Sequence, residues 1–180
     1  MTELFRAFLA DFYRLSYFDI FLLLSVFSWG YLSVLERRLT YSSGRLLSAA
    51  LLLLWMGILL YTTLGSRDSG GGSVNLVPFH TYMEVRNGGN PEIYRSNFMN
   101  VVLFFPGGFF LGCSLPERWS PLLKLLLSIL LFCAFSAGIE YLQYTHSLGR
   151  TEIDDVIHNT LGALLGSLVP GLRQLCKSHK

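Results

Sequence analysis

Charge is what this sequence has least of. Only 14% of its 180 residues are Asp, Glu, Lys or Arg, while 52% are hydrophobic and the mean hydropathy is +0.46. A soluble domain carries about a quarter charged residues, so an ordinary water-soluble domain is excluded. Cysteine is scarce too. Cys113, Cys133 and Cys176 form no CxxC pair, which excludes a disulfide framework and a structural zinc site and leaves buried, inert thiols as the reading. There is no HExxH, GxSxG or Walker pattern. The basic residues cluster only beside apolar stretches, which excludes nucleic acid as a partner. The first 15 residues lack the continuous apolar core and small-x-small site of a cleavable signal peptide.

Apolar length is what the chain has. Segments 18–35, 46–64, 122–144 and 154–175 can each cross a hydrocarbon core of roughly 30 Å at about 1.5 Å per residue. Segment 97–115 is a fifth, interrupted by Pro106, Gly107 and Gly108, breaks that membrane helices tolerate when neighbours satisfy the backbone. The expected fold is an all-α polytopic membrane helix bundle with about five transmembrane helices. Residues 1–17 precede it as an interfacial amphipathic helix, with Leu4, Phe5, Phe8, Leu9, Phe12 and Tyr13 on one half and Glu3, Arg6, Asp11 and Arg14 on the other. Two spans then occupy 18–64, a polar loop and three spans occupy 65–175, and 176–180 form a tail. In the polar loop a glycine-serine strip leads into NLVPF, where Pro78 keeps Val77 extended and predicts a turn.

Five spans put the N-terminus and the loops 65–96 and 145–153 on one face. That face carries six basic residues mixed with acids, against eight packed into short segments on the other. The positive-inside rule then predicts a multi-pass protein of the cell membrane with its N-terminus outside and its C-terminus cytoplasmic.

Threading of this kind brings the polar side chains of three spans to one end. Asn100 starts the third span, Glu140 and Gln143 end the fourth, and Asp155 and Asn159 start the fifth, all within roughly two turns of one surface. Cys133, Ser136, Glu140, Gln143 and Tyr144 follow three- and four-residue steps and predict a stripe facing protein or water. Asp155, Asn159, Gly162 and Gly166 do the same, and Gly162-x-x-x-Gly166 lets another helix approach closely. Plain structural roles compete with functional ones: Asp154 and Asp155 can stabilise a helix N-terminus, and Asn100 and Asn159 can be interhelical glue. A carboxyl within a span, as at Glu140, needs protonation, a partner such as Arg150 or His158, or a water-filled cavity.

On these residues the chain resembles the VanZ-like membrane proteins, a family named for a teicoplanin-resistance determinant. The matching pieces are NLVPF (75–79), NVVLFFPGGFFLG (100–112), the Glu140-x-x-Gln143 pair and GRTEIDDVIHNTLGALLG (149–166). They run in the family's order. The family pattern of Gly-Arg, a spacer, an acid, Ile-Asp-Asp and a following Asn falls on Arg150, Glu152, Asp154, Asp155 and Asn159; the spacer is one residue shorter here, and Glu152 stands where the family has Asp. The resemblance implies a bacterial envelope protein linked to tolerance of lipoglycopeptide-type antibiotics, and it does not imply an enzyme.

The expected function is binding of an anionic lipid-linked envelope precursor, or of an amphiphilic glycopeptide antibiotic, at an outward-facing polar pocket amid membrane lipids. Arg150 would engage phosphate or carboxylate, Asn75, Asn100, Gln143 and Asn159 would supply amides, and Glu140, Asp154 and Asp155 would orient Arg150 or hold a cation. No cofactor is expected, with room left for a divalent cation. Two alternatives stand beside this reading. One is an intramembrane hydrolase or transferase on a lipid carrier, with Glu140, Asp154, Asp155 and His158 as catalytic or metal-ligating groups. The other is a proton-coupled transporter, for which so few spans would need a homo-oligomer joined through Gly162 and Gly166.

Overall fold

A computed structural model describes residues 15–65 and 73–178. The interfacial helix expected over 1–17 lies, up to residue 14, outside the described residues, as do positions 66–72 of the glycine-serine strip. The chain divides into two units, 1–40 and 41–180. The first contributes helix α1 (Tyr17–Arg38). Its start is set by Ser16, whose hydroxyl accepts from the Asp19 N–H while the Asp19 carboxylate accepts from the Ser16 N–H, a reciprocal capping box.

The second unit contains α2 (Tyr41–Leu60), continued by a wide turn over Tyr61–Gly65, then β1 (Ser73–Asn75), α3 (His80–Arg86), α4 (Glu92–Ser114), α5 (Pro121–Thr145), β2 (Arg150–Glu152) and α6 (Ile153–Ser178). The fold is all-α, as expected, except that β1 and β2 pair in parallel with Val74 opposite Thr151. Among the described residues, three helical segments are long and apolar enough to cross a membrane: Tyr41–Gly65, Glu92–Ser114 and Pro121–Thr145. Within α1 the apolar part, Asp19–Leu35, is shorter. Helix α6 carries Asp154, Asp155, His158 and Asn159 in its first two turns and packs its polar, small-residue face on α4 and α5. Leucines 53, 54 and 130 stand exposed on α2 and α5, an outer surface suited to lipid tails.

Glycine sets how closely α4 and α6 approach. A Cβ at Gly162 would overlap the Val101 carbonyl, one at Gly166 the Phe105 carbonyl, and one at Gly108 the Ala163 carbonyl. The Gly162/Gly166 face is therefore filled by α4 of the same chain. Helix α4 also runs unbroken through Pro106, and Trp55 of α2 donates its indole N–H to the Leu103 carbonyl at 2.9 Å in the turn that the proline disturbs.

The alternating threading is visible at both ends of the bundle. At one end Arg45 Nε donates to the Ser114 carbonyl (2.9 Å), the Tyr41 hydroxyl accepts from the Glu117 N–H (2.8 Å), and Lys124 Nζ donates to Gln174 Oε1 (2.7 Å). At the other, Gln143 Nε2 donates to the Thr63 carbonyl (3.0 Å) and the two strands pair. The loops following α2 and α5 therefore share one end.

Two expectations need correcting, the first of them about α5. Its buried stripe runs Lys124, Ser128, Phe132, Ser136, Glu140 and Gln143, whereas Cys133 and Tyr144 are exposed. At about 100° per residue these two lie roughly 60° and 80° around the helix from Ser136, on its shoulder. Nor are the thiols all buried: Cys133 and Cys176 are exposed, and Cys113 is partly covered.

Candidate functional site

The strand end of the bundle is built from the loops inward. Asn75 closes β1, and its Oδ1 accepts from the Val77 N–H at 3.1 Å, turning NLVPF as Pro78 predicted. Phe79 then takes a left-handed conformation (φ 59°) and leaves α3 without a side-chain cap of its own. Asp154 supplies the cap from α6. Its carboxylate accepts from the N–H groups of Phe79 (2.5 Å) and Thr81 (2.9 Å) and from the Thr81 hydroxyl (2.6 Å), while Asn97 Nδ2 donates to that hydroxyl at 2.9 Å. The Asp154 side chain is fully buried, on the first turn of α6 and outside the three apolar helices. Burial pushes its carboxyl up, but the bonds from Thr81 and Phe79, helped by nearby His158, outweigh burial and hold it below the ordinary carboxylate range. The helix-end role open to this aspartate is thus the one seen, applied to α3 and not to its own helix.

The remaining polar groups tie the helices together. Asn100 Nδ2 of α4 donates to Asp155 Oδ1 of α6 at 2.7 Å, and Asn159 Nδ2 donates to Ser136 Oγ of α5 at 2.8 Å. His158 is buried with both ring nitrogens engaged. Nδ1 lies 2.6 Å from the Asp154 carbonyl, which can only accept, so this nitrogen carries the proton; in the neutral ring Nε2 then accepts from the Tyr82 hydroxyl at 2.7 Å. The Glu140 carboxylate is buried and accepts from the Glu152 N–H at 3.0 Å. Asn159 Oδ1 and Gln143 Oε1 are buried acceptors with no hydrogen-bond donor among the described residues.

Outside this collar, between α5, the two strands and the start of α6, lies a cleft of about 550 Å³. Val74, Leu76, Ala137, Tyr141, Tyr144, Ile153 and Val156 form its walls, and Glu140, Thr151 and Glu152 are its polar lining. Gly149, at φ 99°, makes the turn that delivers β2 to this place. Arg150 extends from β2 with its side chain 50% exposed, and Nη2 lies 2.7 Å from Glu152 Oε1 and 3.3 Å from Glu84 Oε2.

The sequence-selected residues all lie at this end, in three groups. Asn100, Asp155, Asn159 and Gln143 bond helix to helix. Asp154 and His158 hold α3. Glu140 reaches the cleft, with Arg150 beside it on β2 and Asn75 shaping the turn above. Among the described residues no three His, Cys, Asp or Glu side chains come together so as to hold a metal ion, so Glu140, Asp154, Asp155 and His158 do not assemble the metal centre of the catalytic alternative. Thr63, Thr81, Tyr82 and Glu84 are contributors that sequence reasoning missed. The one signal for them was the T-x-x-E spacing of Thr81 and Glu84, which marks a helix start.

The VanZ/LLP1 family model matches residues 48–173, which span α2 to α6. The chain is 30% identical over 137 residues to Protein VanZ of Enterococcus faecium, covering 72% of this chain and 76% of that protein. No solved structure matches. With a family match over most of its length and its apolar helices, the chain belongs to the VanZ/LLP1 family of membrane proteins.

Proposed function

We propose that this protein binds an amphiphile at the loop-end cleft, either a lipid-linked envelope component with an anionic group or an amphiphilic glycopeptide antibiotic, and so contributes to antibiotic tolerance. One observation carries the reading. A cleft with apolar walls, large enough for part of a lipid chain, lies directly beside a half-exposed guanidinium held by two carboxylates. The tail takes the apolar walls, and Arg150 meets an anionic group at the rim. The cleft faces outside, the C-terminus is cytoplasmic, and the polar collar holds the strands and α3 in place over the helix ends. Native mass spectrometry of lipids that copurify with the protein tests this. Wild type retains a discrete lipid that Arg150→Ala loses at equal abundance; the same lipids on both, or none on either, contradicts the proposal.

A further inference from the structure

We infer that α3 and the turn before it are an interfacial anchor, whose outer side seats in the headgroup and upper acyl region of the lipid leaflet at the strand end of the bundle. The first argument is that α3 is amphipathic the wrong way round for water. Thr81 and Glu84 share the face turned to the bundle, where Thr81 is buried (2% exposed) against Asp154 and Asn97, and Glu84 meets Arg150. Tyr82 and Met83 take the other face, with Arg86 a turn further on, and all three are exposed. Leu76, Val77 and Phe79, just before the helix, are exposed by 68%, 52% and 54%. A helix lying against water turns its apolar stripe to the core and its polar face out. One that directs a hydroxyl and a carboxylate inward and five large apolar side chains outward fits a lipid surface.

The second argument is depth. Helix α3 does not stand beyond the ends of the long helices but alongside their first two turns. Thr81 Oγ1 accepts from Asn97, the sixth residue of α4, and the Tyr82 hydroxyl bonds His158, the sixth residue of α6. The Tyr82 and Tyr94 rings lie 5.6 Å apart. Asn97 is about 7–8 Å along α4 from its first residue. At 23 residues α4 is about 34 Å long, only about 4 Å more than a hydrocarbon core, and tilt takes up part of that excess. The contact with Asn97 therefore carries α3 down to the boundary between headgroups and acyl chains. Tyr82 and Tyr94 suit that depth, with rings toward the apolar layer and hydroxyls among polar groups, and from there Arg86 reaches lipid phosphates. Because Glu84 on the inner face meets Arg150, the anchor also holds that guanidinium at headgroup height.

Nitroxide labels test this in the full chain, reconstituted in vesicles of phosphatidylethanolamine and phosphatidylglycerol with Cys113, Cys133 and Cys176 replaced by alanine. Single cysteines at residues 76 and 83 carry the label. Residue 130, exposed midway along α5, is the lipid reference, and residue 118, exposed in the loop after α4, is the water reference. Power saturation compares collisions with oxygen, which partitions into acyl chains, against collisions with a water-soluble nickel chelate. Oxygen should dominate at both 76 and 83, as at 130. Dominance of the chelate at either residue, as at 118, puts this face in water and overturns the inference. Low access to both reagents at either residue puts protein over the face, from segment 66–72 or from a second copy, and overturns it equally. If the cysteine-free chain does not purify, Met83→Trp in the otherwise native chain serves, read as the difference from wild type. Its fluorescence should be quenched more strongly by lipids brominated near the headgroup than by aqueous iodide; the reverse order, or quenching by neither, refutes the anchor.

Discussion

Replacing Asp154 should loosen the strand end of the bundle before anything else. In Asp154→Ala the Phe79 and Thr81 N–H groups lose their acceptor, and Asn97 and the Thr81 hydroxyl lose the group that orders them. Each orphaned buried donor costs about 1–3 kcal/mol, and bonds to a charged acceptor sit at the upper part of the range, so the change should cost about 3–5 kcal/mol. For a chain of this length that lowers an apparent Tm by roughly 10 °C. Asp154→Asn keeps one acceptor and should fall about halfway. The assay is thermal unfolding in detergent, followed by size-exclusion recovery, with limited proteolysis between residues 73 and 90 as a local readout. The dependence on pH gives a second check. The Asp154 carboxyl is held low in the folded protein, so its contribution is complete above the unfolded value of about 3.9 and is lost as pH falls through the folded value. The gap between wild type and Asp154→Asn should therefore be constant near neutrality and close in acid. An Asp154→Ala protein that melts within about 2 °C of wild type and resists protease equally would refute the capping argument.

Packing and topology yield two more predictions. Gly166→Ala drives a Cβ into the Phe105 carbonyl and should lose about 1–3 kcal/mol or more, whereas Gly138→Ala, with nothing within 4 Å of its Cβ, should be neutral or slightly stabilising; equal melting of the two variants would contradict the close α4–α6 contact. Cys133, exposed midway along α5, should resist a membrane-impermeant maleimide, and Cys176 should react only in opened cells. Labelling of a cysteine placed at residue 90 only after cells are opened would reverse the proposed orientation.

Much of this fold was readable because each long helix is an apolar run bounded by turn residues. The expected segments 46–64, 97–115, 122–144 and 154–175 fall within a few residues of α2, α4, α5 and α6. The convergence of Asn100, Glu140, Gln143, Asp155 and Asn159 at one end was also readable, because alternation of direction follows from span order alone. Three things were not. The strands are three residues each and pair across most of the unit, so no local alternation betrays them. The cap on α3 comes from Asp154, 75 residues from Phe79, and a sequence window sees only that Asp154 begins its own helix. Finally, three- and four-residue steps fix a stripe on α5 only to within about a third of a turn, which is why Cys133 and Tyr144 were assigned to the wrong side of its edge. The cleft arises from the strands and that shoulder together, so its walls could not be foreseen, although Glu140 could.

The central claim, that the cleft beside Arg150 holds the ligand through which this protein acts, is tested most directly by glycopeptide susceptibility. A host lacking the gene is complemented with wild type, Arg150→Ala, Glu140→Ala or Ala137→Trp, with membrane abundance matched by immunoblot, and the inhibitory concentration of teicoplanin is measured. Protection should be restored by wild type and absent with all three variants; protection at the wild-type level from variants altered at the rim, floor and wall would contradict the account.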